Sequence, residues 1–516
     1  MKNLARIFAC MLPLLLFTFP IKGEKGTDFD PLTNLKITIE IKCIRSLDYG
    51  KWYLPKLKWM FPDLYVKIFV NGIEFRSPVW HNVRYVEDQL WKLTCDIPDD
   101  QEWVHIRIEL WDWNKRKDKL MDIGSIKEPE KRYAEIYYNV KSGHWLGDDW
   151  LSPVKALSDP SGYGRLNGCD DGSIYERDWD FELCFDIYQN DYDGDHIPYW
   201  AEVNVFGTDP FTNDGGIDHD GDGVSSYWEW KWGHTFKYDH KEGRYIDEWF
   251  YHPKRPENHS LLDPDNDGLN NVEECLLSPF GTDPFRKDIF LEIDQMEKEN
   301  GSGEAILPPL TKCLLGEAFS RHNIVIHINE GWDGGGEIIP YSDRTSREDL
   351  KNIYLNYFLH GDLCKWKRGI MHYGVIVHDT GWPGYVFPTS IDGEHYQLDS
   401  FQISANVVEN LSRKFHFIAG FLRKGFDRDY QRAVAYASVI MHELGHTLGI
   451  FNWNTPGCDN IYTVFPRKEW WKYRVYRSCM NYNYVYILVD YSDGSRGKYD
   501  FDDWHRIDLT FFKREF

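Results

Sequence analysis

The feature that most constrains this chain is an acidic segment, from Asp186 to about Lys287, that is dense in Asp, Gly and Asn and poor in aliphatic residues. Such a composition cannot bury an ordinary hydrophobic core. One acidic spacing, D-x-D-x-D followed by Glu at the twelfth position, recurs in it three times. Its members are Asp191, Asp193, Asp195 and Glu202; Asp218, Asp220, Asp222 and Glu229; and Asp263, Asp265, Asp267 and Glu274. We therefore expect bound ions to hold this segment together.

Calcium is the ion that this spacing favours. Calcium takes about six to eight hard oxygen ligands, and the spacing curls three carboxylates around one ion while the Glu closes the site. Gly223 and Gly268 occupy the sharp-turn sixth position of two loops, whereas the first loop has His196 there. A single copy is also compatible with a solvated acidic turn, but three copies in register favour three calcium sites.

A second element, "FGTDPF", occurs at residues 206–211 and 280–285, with the looser "WGHTFKYD" between them. Together with the "DHDGDG" and "DPDNDG" loops, these turns resemble thrombospondin type-3 calcium repeats. The resemblance implies that residues 189–287 form a spacer that stiffens when calcium binds. It also implies that Asp209 and Asp283 add ligands.

The length, the charge and the N-terminal residues each limit the class of protein. A length of 516 residues predicts two or three domains, and a formal charge of -23 disfavours nucleic acid as a partner. Residues 1–23 combine early basic residues with a short apolar run, which is typical of a secretory signal peptide, although a retained N-terminal anchor is an alternative. We expect a secreted or extracellular protein, with possible attachment to the cell surface.

Cysteine usage in an exported chain predicts disulfides. Pairing between sequence neighbours would join Cys43 to Cys95, Cys169 to Cys184, Cys313 to Cys364 and Cys458 to Cys479, and would leave Cys275 unpaired. The sequence does not fix this connectivity.

Residues 33–188 show short alternating strands such as "LKITIEIKC" and "WVHIRIELWDW", which predict a β-sandwich. "PDLYVKIFVNG" followed by "LWDWNKRKDKLMDIG" resembles the C2 domain, a calcium- and phospholipid-binding sandwich. The resemblance implies a loop site at Asp63, Asp112, Asn114 and Asp118. A sandwich that binds no metal and serves a structural or docking role is the alternative.

Residues 288–516 mix strand and helix patterns and contain "HELGH" within a helical segment. His442 and His446 lie four residues apart, so both imidazoles project from one helix face and suit a zinc ion, while Glu443 suits a general base. Gly449 ends this helix, and "SCMNYNY" follows about thirty residues later.

Those features resemble the metzincin zinc proteases, and "CMNY" is similar to their pappalysin-like and astacin-like branches. The resemblance implies that Met480 forms the floor beneath zinc and that Tyr482 stabilises the oxyanion of the transition state. The metzincin pattern has a third histidine where this chain has Asn452.

An amide oxygen is a poor zinc ligand beside His or Asp, so a different residue is expected to complete the site, or the site is degenerate. Asp459, in the turn-rich "NTPGCDN", is the preferred third ligand; His505 and Asn452 itself are the alternatives. Glu469 would serve under a thermolysin-like plan, against which Gly449 and Met480 argue.

The sequence thus predicts a multidomain protein: a C2-like sandwich, calcium-stapled repeats and a metzincin-like α/β domain. Its expected function is that of a secreted, calcium-stabilised zinc metalloendopeptidase acting on protein or peptide substrates. One alternative is a calcium-dependent adhesion or scaffold protein with an inert protease domain. Another is a calcium-dependent membrane-binding module in which proteolysis is secondary.

Overall fold

The computed structural model of the chain describes residues 27–47, 61–125, 131–149, 164–174, 179–299, 307–329, 331, 335–362, 366–390, 395–422, 428–461, 465 and 467–516. The predicted signal peptide, residues 1–23, lies outside these ranges, and so does Cys364. The described part is a β-rich, multidomain architecture. Within it, no helix combines the length and apolar character needed to cross a bilayer.

Two antiparallel sheets pack face to face in the N-terminal part. In spatial order, the first sheet contains β4 (Tyr85–Asp96), β1 (Lys36–Ser46), β10 (Phe181–Gln189) and β9 (Arg165–Asn167). The second contains β3 (Ile73–Arg76), β2 (Leu64–Val70), β5 (Trp103–Asp112), β7 (Ala134–Asn139) and β8 (His144–Gly147), with β6 (Lys119–Leu120) beside β5. On β1, Ile37, Ile39 and Ile41 are buried while Lys36 and Lys42 are exposed, so the predicted alternation points one face into the core.

The disulfide connectivity differs from the pairing between sequence neighbours. Cys43 on β1 lies opposite Cys184 on β10, and these two residues form the disulfide. The predicted pairs Cys43 to Cys95, Cys169 to Cys184 and Cys458 to Cys479 are therefore wrong, because Cys95, Cys169, Cys458 and Cys479 are free thiols. The two bonded residues are 141 positions apart, and strand register rather than sequence proximity brings them together.

The repeat segment contains only short helices and one hairpin. Its helices are α1 (Tyr199–Ala201), α2 (Ser226–Trp232) and α3 (Asn271–Leu276). The "WGHTFKYD" stretch is not a turn like "FGTDPF": it forms strand β11 (His234–Asp239), which pairs with β12 (Arg244–Trp249). Aromatic side chains, among them Trp228, Trp232 and Phe285, fill small clusters between the loops. Part of the high aromatic content therefore substitutes for an aliphatic core here.

The C-terminal part is a mixed sheet covered by helices. Its strand order is β14 (Val325–Asn329), β13 (Asp288–Met296), β16 (Met371–Val377), β18 (Gln397–Ser404) and β17 (Gly384–Thr389), with β15 (Ile338–Ile339) also beside β13. Its helices are α4 (Leu310–Ser320), α5 (Arg347–Ile353), α6 (Ala405–Leu422), α7 (Arg428–Thr447) and α8 (Trp470–Tyr473). Every pairing in the sheet is parallel except that of β17 with β18.

Helix α7 crosses the middle of this part. Residues 433–447 are buried on every face of the helix, which is expected of a helix enclosed by other elements rather than of an amphipathic surface helix. The helix contacts β17 and β18 on one side and helices α4 and α6 elsewhere. The "HELGH" residues therefore lie at the end of a fully supported helix.

Buried polar contacts join the sandwich to the C-terminal part. Arg84 pairs with Glu317 of α4, and the Arg45 guanidinium donates to Ser320 Oγ at 2.6 Å. Arg286, just before β13, lies 2.5 Å from Glu182 of β10. Burial acts to raise the pKa of Glu182, but Arg286 and two further arginines lower it below its ordinary value. The charges at this junction are thus paired.

Candidate metal centres

The end of α7 and the chain that follows it gather three potential zinc ligands. His442 Nε2 lies 3.1 Å from Asp459 Oδ1, and His446 Nε2 lies 3.4 Å from Asp459 Oδ2. The ligand atoms of all three residues lie within 4.8 Å of one another. Two ligands at about 2.1 Å from a tetrahedral zinc ion are separated by about 3.4 Å, so this spacing suits zinc.

Hydrogen bonds set the tautomer of both histidines. His442 Nδ1 lies 2.9 Å from the carbonyl oxygen of Cys479, and His446 Nδ1 lies 2.6 Å from that of Ile450. A carbonyl oxygen only accepts, so each Nδ1 carries the hydrogen and donates it. Each Nε2 is then directed toward Asp459 as a potential metal ligand, in the manner of metal sites whose histidines are oriented by their other nitrogen.

The charges of this cluster compensate one another. Burial acts to lower the pKa of His442, but the neighbouring Asp459 raises it to about 9. Burial acts to raise the pKa of Asp459, but the two histidines lower it well below its ordinary value. The carboxylate is therefore ionised and already faces both imidazoles.

The loop after α7 explains how Asp459 reaches the histidines. Gly449 has φ +88° and ends the helix, because its N–H bonds back to the carbonyl of His446. Asp459 itself has φ +51°, and its N–H donates to the carbonyl of Met480 at 3.2 Å. A backbone hydrogen bond to the Met480 segment, rather than the predicted disulfide, thus holds Asp459 in place.

The structure separates Asp459 from the other ligand candidates by exposure. Asn452, His505 and Glu469 are all exposed, whereas both histidines of the cluster are buried. Glu469 instead accepts a hydrogen bond from Asn460 at 3.4 Å, and the backbone N–H of His505 donates to Asp502 at 2.9 Å.

Met480 lies directly against the helix that carries the histidines. A Cβ placed on Gly445 would lie 2.5 Å from the Met480 sulfur, so only glycine permits this approach. Met480 is fully buried. Tyr482 hydrogen-bonds to Asp459, and burial followed by that carboxylate raises the pKa of its hydroxyl. The Tyr482 hydroxyl is therefore protonated and available as a donor.

Glu443 lies beside the histidines and faces the edge strand. A Cβ on Gly384, the first residue of β17, would lie 2.5 Å from Glu443 Oε1. Burial raises the pKa of Glu443, while His442 and His446 oppose the rise. A carboxylate with a raised pKa next to paired imidazoles is suited to accept and return a proton near neutral pH.

The three acidic loops share one hydrogen-bond pattern. In each loop the first Asp accepts the backbone N–H of the sixth residue: His196 at 2.8 Å, Gly223 at 2.9 Å and Gly268 at 3.0 Å. All three sixth residues have positive φ, including His196 at +72°. The first loop therefore adopts the same turn as the other two, although it lacks the expected glycine.

The twelfth-position glutamates close these loops from inside the fold. Glu202, Glu229 and Glu274 are each no more than 1% exposed. Burial, followed by Asp195, raises the pKa of Glu202 to about 8, and burial, followed by Asp220, raises that of Glu229 to about 9. Carboxylates this close repel one another unless a cation or a proton lies between them.

Carboxylates from outside the repeated spacing also reach these clusters, and the sequence pattern missed them. Glu257 lies with Asp222 and Glu229. Burial, followed by Asp288, the first residue of β13, raises the pKa of Glu274, and the Asp288 N–H donates to Asp267 at 2.8 Å. In the sequence, Glu257 and Asp288 are simply acidic residues that belong to none of the three spacings.

The two "FGTDPF" aspartates differ. Asp209 is exposed and accepts a turn hydrogen bond from the Phe211 N–H at 3.1 Å. Asp283 accepts the corresponding bond from Phe285 at 3.0 Å, but it also contributes charge to the cluster around Glu274. Asp283 therefore lies near a group of candidate ligands, while Asp209 is exposed to solvent.

The loop residues of the sandwich lie together as the C2 resemblance implied. The N–H of Asp63 donates to Asp112 at 2.9 Å. Burial raises the pKa of Asp112, that N–H opposes the rise, and the charges of Asp63 and Asp118 add to it. Asp118 accepts hydrogen bonds from Tyr65 at 2.7 Å and from the Asn114 N–H at 3.0 Å. Several of these carboxylate oxygens already have partners within the protein.

A cavity of about 320 Å³ lies away from the candidate zinc site, between the sandwich and α2. Its three lysines are paired: Lys42 and Lys231 lie 2.9 and 3.4 Å from Asp186, and Lys92 lies 3.1 Å from Glu40. Because these charges are already compensated, we assign the cavity no role in catalysis.

Comparison with known proteins gives a sparse result. No family model matches the sequence, and no curated protein matches it. Over 30% of its length, the chain is similar to the structure of a C2 domain (12% identity, TM-score 0.16, 97% of that chain) and to the first C2 domain of plant Extended Synaptotagmin 1 (13%, 0.16, 95%). Over the same share it is similar to human GIVD cytosolic phospholipase A2, of which it spans 17% (11% identity, TM-score 0.17). We therefore base the function on the site geometry.

Proposed function

We propose that the chain is a secreted, calcium-stabilised zinc metalloendopeptidase. The observation that carries the proposal is the arrangement of His442, His446 and Asp459, whose ligand atoms face one another with Glu443 adjacent on the same helix. This donor set of two imidazoles and one carboxylate is the kind found in catalytic zinc sites. The three residues would hold zinc, and the neighbouring Glu443 and Tyr482 would act on the substrate.

Zinc bound by these residues would supply Lewis acidity that polarises a peptide carbonyl and makes water more acidic. Glu443 would take a proton from the attacking water at its carboxylate and return it to the departing amine. The Tyr482 hydroxyl would donate a hydrogen bond to the developing oxyanion. The half-buried edge strand at Gly384 would limit the movement of the Glu443 carboxylate.

The contacts of the third acidic loop support a stabilising role for calcium in this domain. The carbonyl of Gly268 accepts a hydrogen bond from Lys513 at 2.6 Å, and the N–H of Asp508 donates to the carbonyl of Leu448 at 3.0 Å. The ring of Phe511, which lies between Asp508 and Lys513 in the sequence, has its centroid 5.7 Å from that of Phe451. The C-terminal segment thus contacts both the loop and the end of α7, so ordering of the loop by calcium would support the zinc cluster.

The disulfide between Cys43 and Cys184 supports an extracellular location, because disulfides persist in oxidising compartments. We propose that the sandwich positions the enzyme near a surface through its Asp63, Asp112 and Asp118 loops. Co-sedimentation with anionic vesicles in calcium, and its loss on chelation, would support this role. Equal sedimentation with and without calcium would contradict it.

Hydrolysis of an unstructured protein such as casein tests the proposed function. The native chain, supplied with zinc and calcium, should cleave casein, and Glu443→Ala should reduce the rate by roughly 10² to 10⁴. Glu469→Ala is the matched control, since Glu469 is exposed and should leave the rate unchanged. If a chain whose His442, His446 and Asp459 site holds zinc and whose calcium sites are filled cleaves nothing, the adhesion or scaffold alternative is favoured.

A further inference from the structure

The second acidic loop contains a nitrogen donor that its sequence pattern does not include. The ligand atoms of Asp222, Glu229, Glu257 and His259 all lie within 4.8 Å of one another. His259 Nε2 is 3.2 Å from Asp222 Oδ2 and 3.9 Å from Glu257 Oε2. Glu257 and His259 come from the segment between β12 and α3, so two parts of the chain converge on this point.

Two members of this group are buried without hydrogen bonds from their metal-facing atoms. Glu229 and His259 are each 0% exposed. Among the described residues, neither carboxylate oxygen of Glu229 accepts a hydrogen bond, and His259 Nε2 makes none either. A buried polar atom without a partner destabilises the folded state, and a bound cation between these atoms would remove that penalty.

Asn271 provides the partner that orients His259. Its fully buried amide lies 2.9 Å from His259 Nδ1, and its Oδ1 makes no hydrogen bond among the described residues in the amide orientation of the structure. The oxygen and nitrogen of an amide occupy nearly the same space. With Oδ1 turned toward the ring, Nδ1–H donates to it and the lone pair of Nε2 faces the three carboxylates.

We propose that Asp222, Glu229, Glu257 and His259 form a site for a first-row transition cation such as Zn²⁺, separate from catalysis. Calcium prefers oxygen ligands, whereas imidazole suits zinc and its neighbours in the series. The adjacent trio of Asp218, Asp220 and Asp222 contains only oxygen donors and keeps the character of a calcium site. Asp222 belongs to both groups and would bridge the two ions.

Zinc stoichiometry tests the site in the full chain with saturating calcium. A background with His442→Gln and His446→Gln removes the proposed catalytic site, and one zinc should still bind. His259→Asn should lose that zinc or bind it more than about a hundredfold more weakly, beyond the roughly 10- to 100-fold that outer-shell partners typically contribute. His240→Asn is the matched control, because His240 is an exposed histidine of the same segment.

Zinc X-ray absorption of the background protein should show one imidazole nitrogen among oxygen neighbours. If His259→Asn fails to fold, as judged by thermal unfolding in calcium, Glu257→Gln provides the second test and should weaken zinc binding about tenfold. Retention of zinc in a folded His259→Asn variant, an oxygen-only absorption spectrum, or no zinc in the background protein would each overturn the proposal.

Discussion

In the candidate zinc site one carboxylate, Asp459, faces two imidazoles, whereas each acidic loop brings several carboxylates toward one another. The pKa shifts have opposite signs as a result. That of Asp459 is lowered by the histidines, while those of Glu202 and Glu229 are raised to about 8 and about 9 by burial and neighbouring aspartates. The charges of the candidate zinc site therefore compensate one another, whereas the loop carboxylates need protons or cations between them.

Removal of calcium should have the largest effect, and it should act on the repeats. A site filled at 1,000 times its Kd stabilises the folded state by about 4 kcal/mol, so chelation at neutral pH should melt the loops first. Trp228, Trp230 and Trp232 lie in the small aromatic clusters between the loops, so tryptophan fluorescence reports the unfolding of the repeats. Hydrogen exchange in α7 should remain slow at first. Simultaneous loss of hydrogen-exchange protection in the repeats and in α7 would contradict the expectation that calcium acts on the repeats first.

Tyr482→Phe should affect the zinc site alone. Removal of one transition-state hydrogen-bond donor typically lowers kcat by roughly 10² to 10³, and zinc content and KM should stay close to native values. Casein hydrolysis and metal analysis of the same preparation check this. A variant that also loses its zinc would show that Tyr482 acts by supporting Asp459 instead of by contacting substrate.

In metal-free protein, a change of pH should affect the stability of the repeats and of the candidate zinc site differently. The folded-state pKa values of Glu202 and Glu229 are raised, so their contribution to stability is present below about pH 4.5 and is lost as pH rises through 8 to 9. The folded-state pKa of His442 is raised to about 9, so its contribution to stability is present up to about pH 6.5 and is lost as pH rises toward 9. The lowered pKa of Asp459 keeps its contribution above about pH 3.8.

Between about pH 4.5 and 6.5, therefore, the repeats should weaken while the charge pairing of His442 with Asp459 persists. Tryptophan fluorescence melts should shift to lower temperature by about 4 °C or more. Calcium should abolish the shift. Repeats that become more stable as pH rises without calcium would contradict the proposed repulsion.

The sequence predicted local features best where spacing along one element decides the geometry. Four residues on a helix put His442 and His446 on one face, and the D-x-D-x-D spacing produced the same turn in all three loops, even with His196 in place of glycine. The turn-rich loop pointed to Asp459, which the structure places against both histidines.

Features that depend on strand pairing and on contacts between distant segments could not be predicted from local spacing. The Cys43 to Cys184 disulfide follows from the pairing of β1 with β10, and Asp459 is held by a backbone bond to Met480 although the predicted disulfide beside it is absent. Glu257 and Asp288 join the acidic clusters from outside the repeat, so the repeat spacing carries no information about them.

The central claim is that Asp459, and not Asn452, completes the zinc site. Zinc content after dialysis against a weak chelator tests it most directly. The reference chain carries His259→Asn, and it is compared with the same chain carrying Asp459→Ala or Asn452→Ala in addition. We expect one zinc in the reference chain and in Asn452→Ala, and little or none in Asp459→Ala. Full zinc in Asp459→Ala together with its loss in Asn452→Ala would contradict the account.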